Sequence, residues 1–260
     1  LRTHVLRPEE ICFREDGLFT SSGEGIDILY RFFELFDLKN IPKIDLILYA
    51  IKKKKVVATP PLKSYLEEKL LFALFHHPLL ASFWLNSLGK ETYELLQGLF
   101  PRTWILDPRS LPPYGVIPNL RLGDQLVGDW QQLKAATQKQ RQFVIKPSGF
   151  SELAWGGRGV SIGHDLSQDQ WGEALDQALA SFERTPYILQ EFVKGARVTM
   201  EYYDFAAGTI KRMDGRVRLC PYYFVQGEEA PLGGILATVC PSDKKIIHGM
   251  VDGIMAPTAV

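Results

Sequence analysis

The spacing of apolar residues changes period along the chain, and the changes mark out its elements. Residues 10–19 carry two short apolar stretches around Asp16-Gly17, a turn pair that predicts a hairpin. Gly23 and Gly25 mark a second turn, and residues 26–36, strongly apolar and aromatic, follow it. Residues 46–50 suit the apolar end of a helix, and the lysine run at 52–55 suits a solvated turn entering a short strand. Residues 1–58 are thus expected to be rich in strand. Pro60-Pro61 punctuates the chain, and from Leu62 a helix is predicted, because Leu66, Leu70, Ala73 and Leu74 fall at helical intervals. Lys69 lies at the edge of that stripe. Pro101, Pro108, Pro112, Pro113 and Pro118 predict a loop-rich connection, and the polar residues 131–142 a helix or a link.

The pattern then tightens. Residues 143–147 form a compact apolar strand, a glycine-rich stretch follows, and 159–163 reads as the return strand. Ser167 and Gln170 make a capping box for a helix whose apolar face is Trp171, Ala174, Leu175, Ala178, Leu179 and Phe182. Residues 187–193 predict a strand, and three more are expected near 198–206, 216–225 and 234–240.

Composition narrows the class. With 260 residues, 46% of them hydrophobic and 23% charged, the chain suits one large or two small globular domains. Formal net charge is zero, so no polyanion-binding surface is indicated and nucleic acid is not an expected partner. The longest apolar run, 70–85, is interrupted by His76, His77 and Pro78, so no membrane span is expected. Cys12, Cys220 and Cys240 are odd in number and widely spaced, which fits neither a disulfide framework nor a zinc site and points to a reducing, cytoplasmic setting. The chain starts at Leu1 already in a strand-like rhythm, which suggests that residues precede it.

The candidate chemistry lies in 143–193. Lys146 ends an apolar strand, where a buried ammonium is costly unless an anion meets it. Some ten residues later comes Trp155-Gly156-Gly157-Arg158-Gly159, whose glycines let backbone N–H groups approach a phosphate. This order matches neither the Walker nor the Rossmann pattern. The apolar strand at 187–193 is broken by Gln190-Glu191, groups suited to an adenine edge and ribose hydroxyls. Singly, each feature has a plain alternative: a snorkelling lysine, a hairpin turn, a solvated polar pair.

The ordered set resembles the ATP-grasp superfamily, and within it the permuted branch of glutathione synthetase-like and glutathionylspermidine synthetase-like proteins. The resemblance implies an α+β ATP-grasp fold, in which two α+β subdomains clasp a nucleotide, at 59–260 with a subdomain boundary near 142. Part of a smaller α/β pre-ATP-grasp domain would precede it at 1–58. It implies ATP-dependent joining of a small-molecule carboxylate to an amine through an acyl phosphate, with ATP and Mg2+ as cofactors. Lys146 would contact the phosphates, Gly156, Gly157, Arg158 and Gly159 would close over them, and Gln190, Glu191, Phe192 and Val193 would form the adenine and ribose hinge.

Upstream, residues 66–70 are similar to the family's helix with a second ATP-binding lysine, here Lys69, whose alternative is a surface lysine patterned with Tyr65 and Ala73. Residues 26–33 are similar to a strand with an aromatic–arginine pair, which makes Arg31 a candidate at the substrate; a salt bridge to Glu34 or Asp37 is the alternative. Arg218 on a later apolar strand is a second candidate for a phosphate or carboxylate. The family's Glu-x-Asn metal motif is absent from the sequence. Glu152, between Lys146 and the glycines, is the best remaining metal ligand, with Glu201 and Asp204 weaker. A degenerate module that binds a nucleotide or a partner without turnover is the competing function.

Overall fold

A computed structural model describes residues 2–149, 151–249 and 252–259. In chain order its elements begin with a hairpin of β1 (Cys12–Arg14) and β2 (Gly17–Phe19), then β3 (Ile28–Tyr30), α1 (Ile44–Lys52) and β4 (Val57–Thr59). Next come α2 (Leu70–His76), α3 (Ala81–Leu88), α4 (Lys90–Leu99), β5 (Thr103–Ile105), and a small hairpin of β6 (Arg121–Leu122) and β7 (Gln125–Leu126). They are followed by β8 (Phe143–Pro147), β9 (Ser161–Ile162), α5 (Gln168–Ala180), β10 (Tyr187–Glu191), β11 (Arg197–Asp204), β12 (Thr209–Tyr223), β13 (Leu232–Pro241) and β14 (Ile254–Pro257). Helix and strand take nearly equal shares, 29% and 28%, and the strands fall into several small sheets, so the class is α+β.

The chain divides into two compact units: Leu1–Trp155 with Gly159–Gln190, and Gly156–Arg158 with Glu191–Val260. The first unit is built on a four-stranded sheet in the order β5-β10-β8-β9. Its outer pairs are antiparallel, with Leu189 opposite Trp104 and Val144 opposite Ile162. The capping box at Ser167 and Gln170 starts α5 as expected. That helix lays Trp171, Leu175, Ala178 and Leu179 on Phe143, Ile145 and Leu189, forming the main core. Trp171 is fully buried and its indole N–H donates to the Leu133 carbonyl at 2.9 Å, so its one polar atom is satisfied where its rings are packed. The proline-punctuated connection proves structured. Ile117, Leu120 and Val127 join the same core, and β6–β7 turns through Gly123.

A second, smaller core lies around the β1–β2 hairpin, where α1 buries Ile47 and Ala50 against Leu18 and Ile11. The expected strand-rich segment is therefore mixed: α1 and a six-residue 3-10 helix at Leu35–Asn40 stand beside short strands. The helix predicted from Leu62 also differs. Ser64–Leu66 makes only a 3-10 turn, Leu66 is exposed, and α2 starts at Leu70 with Lys69 as its N-cap. Glu67 and Glu68, between the two, are engaged with Arg31 and Ser148, and these tertiary contacts outweigh helical spacing. The apolar run that follows is partly buried in an aromatic cluster in which Phe75 meets Trp84, Tyr93 and Phe100. Among the described residues no helix is long and apolar enough to cross a membrane.

The second unit is an antiparallel meander, β11-β12-β13-β14, the last strand being unanticipated from the sequence. Residues Ala237–Cys240 of β13 are buried on both faces, Ala237 and Val239 on one and Thr238 and Cys240 on the other. The three cysteines are free, as their spacing implied.

Candidate functional site

The site is assembled by the sheet of the first unit. Side chains alternate along a strand, and Phe143, Ile145 and Leu189 all enter the core under α5. Lys146 on β8 and Gln190 on β10 must therefore share the opposite face. Gln190 is 8% exposed and its amide donates to the Thr103 hydroxyl at 2.9 Å, across the β5–β10 pair. Lys146 is half-buried at the end of β8. Among the described residues its ammonium makes no ion pair or hydrogen bond.

Burial pushes the Lys146 ammonium down to about 8, and repulsion from Lys69 adds to the effect. Lys69 is itself lowered by burial, and the adjacent Glu68 partly restores it. Two candidate ligands 77 positions apart by residue number (146 minus 69) come close enough to feel each other's charge. A pair of partly desolvated, mutually repelling cations, with only Lys69 beside a carboxylate, is an arrangement that an anion stabilises.

The acids beside this pair are engaged. Glu68 accepts the Ser148 hydroxyl, and the Leu70 N–H reaches the same oxygen at 3.5 Å. Glu67 pairs with Arg31. The Arg31 guanidinium is buried and each of its three nitrogens donates within the protein, the other two bonds going to the Pro60 carbonyl at 3.2 Å and the Phe33 carbonyl at 2.7 Å. The salt bridge considered for Arg31 thus forms, but with Glu67 and not with Glu34 or Asp37. A cleft of about 280 Å³ opens beside Lys69, walled by Glu34, Phe36, Ser64, Glu67, Ser151 and Trp155.

Glu68 and Ser148 were not singled out by sequence reasoning. Their only signal there is position, Glu68 next to Lys69 and Ser148 two residues beyond Lys146. Glu152 is exposed in a 3-10 turn capped by Ser151. Among the described residues no three His, Cys, Asp or Glu side chains gather to hold an ion. Gly159 belongs to the first unit, its N–H donating to the Leu153 carbonyl at 2.9 Å.

The remaining candidates lie in the second unit. Gly156 and Gly157 have φ of 63° and 75°, left-handed values that favour glycine, and a Cβ on Gly157 would press on Ile246 at 3.1 Å. Arg158 is exposed, as are Glu191 and Val193, with Phe192 half-buried between them. Arg218 is exposed on β12 opposite Thr238. Glu201 is exposed on β11 opposite Arg212. Asp204 is spent on Lys211 at 2.6 Å and on the backbone of its own turn, which holds its carboxyl below the usual range.

Neither a scan against family models nor a search of curated proteins returned a match.

Proposed function

We propose that this chain binds ATP in the manner of an ATP-grasp protein and joins a carboxylate to an amine through an acyl phosphate. The observation that carries the reading is the Lys69–Lys146 pair. Two lysines expected to bind ATP, one closing a strand of the sheet and one capping α2, come close enough for their charges to interact, and both are partly buried. Nucleotide phosphates fit such a pair, because their negative charge offsets both the desolvation and the mutual repulsion. ATP, when bound, supplies the phosphoryl group that activates the carboxylate.

The chain's own contribution is electrostatic. Lys146 and Lys69 hold the phosphates and neutralise charge as it shifts between oxygens, in a partly dry site where such interactions are strengthened. Gln190, held by Thr103, fixes the end of β10 on the same face. The described carboxylates do not form a divalent-ion cage, so no step is assigned to magnesium.

One observation favours a second reading, nucleotide binding without turnover. Arg31, the candidate for the substrate carboxylate, has all three guanidinium nitrogens engaged within the protein. Incubating the protein with ATP, hydroxylamine and pools of small carboxylates separates the two. The ligase reading predicts ADP and a hydroxamate that appear together with one carboxylate. ATP binding with no ADP from any pool favours the binding module, and absence of ATP binding removes both.

A further inference from the structure

We propose that Glu68 is the positioning residue of this site, clamping the start of α2 to the end of β8 through Ser148 and Gly149 and so fixing Lys69 against Lys146. Its effect on nucleotide binding rests on the function proposed above; the clamp itself does not.

Three observations meet at this carboxylate. Glu68 precedes Lys69 in the chain, and its Oε1 accepts a hydrogen bond from the Ser148 hydroxyl, two residues beyond Lys146. The contact joins segments 80 residues apart. Ser148 is buried, so its hydroxyl needs this acceptor. Gly149 has φ of 61° and its backbone lies against the same carboxylate, where any Cβ would fall on the Glu68 oxygens. The left-handed backbone at 149 favours glycine, and a side chain there would have to displace the Glu68 carboxylate from its place. The other charges nearby cannot replace Glu68: Glu67 is taken by Arg31, Glu34 lines the cleft, and Lys146 repels. Glu68 thus has two separable functions, a tie through Ser148 and a negative charge beside Lys69.

Two variants separate them. Glu68→Gln keeps an amide oxygen that accepts from Ser148 but removes the charge. Ser148→Ala keeps the charge but removes the tie. The readout is the titration of Lys69 and Lys146 in the full chain, followed by NMR of side-chain-labelled lysine without nucleotide and paired with ATP titration calorimetry. In Glu68→Gln, Lys69 should titrate lower than in the native chain, and the loss of ATP affinity should grow as pH rises. In Ser148→Ala, both lysine midpoints should move and ATP affinity should fall about tenfold at pH 7. A residue that only supported the fold would lower the melting temperature and leave these midpoints in place. Lysine midpoints unchanged in Ser148→Ala would overturn the clamp, whatever Glu68→Gln does. Failure of the native protein to bind ATP would remove the nucleotide reading, and the midpoints would still decide the clamp.

Discussion

At pH 7 the Lys146 ammonium opposes folding. Its folded value is about 8 against an ordinary 10.5. Below pH 8 both folded and unfolded chains hold the proton, and the full penalty of burying the charge is present. Between 8 and 10.5 the unfolded chain holds more protons, so stability from this group rises with pH, and above 10.5 the penalty is gone. Lys146→Met should therefore be more stable than the native chain at pH 7, by at most about 3 kcal/mol, with the difference fading toward pH 10.5. Urea denaturation of both proteins across that range measures it; a difference independent of pH would mean the charge is not what the site strains against. Lys146 was legible in the sequence because a lysine closing an apolar strand is conspicuous on its own. Glu68 was not, because its meaning depends on a hydroxyl 80 residues away. Arg31 was legible as a special residue but not in its partner, since Glu67 reaches it only through the packing of the segment before α2.

The elements divide in the same way. Helix α5 was readable because its cap, its apolar face and its length agree locally, and the structure buries the face that the spacing named. Ser167→Ala should cost about 1 kcal/mol and Trp171→Ala about 3–5 kcal/mol, both measured by chemical denaturation; similar small losses at both positions would contradict the packing described. The start of α2 was misread because periodicity reports only an apolar stripe. Here the stripe runs across a 3-10 turn whose acids are held by other segments. At the sheet, Thr103→Val would leave the buried Gln190 amide without its acceptor and should cost about 1–3 kcal/mol. The double change with Gln190→Leu should recover much of that loss, because no buried polar group is left unpaired.

At the scale of the whole molecule, the mixed α+β class was expected from the family resemblance, and the structure bears out that class. The compact units were not. Their division falls after Gln190 and assigns Gly156–Arg158 to the second unit, away from its chain neighbours. Composition along a chain reports linkers, whereas compactness depends on contacts between distant segments, such as β5 beside β10. The Lys69–Lys146 pair is a property of this level too, since no local signal brings those segments together. The account's central claim is that the pair is a phosphate site. Titration calorimetry of ATP into the native chain and Lys146→Met, at pH 7 and pH 9.5, tests it most directly. A bound polyanion favours the charged lysine, so the native chain should bind at pH 7 and about tenfold more weakly at pH 9.5. The variant should bind weakly at both, with little dependence on pH. Equal binding by the two proteins, or native affinity that does not change with pH, would contradict the claim.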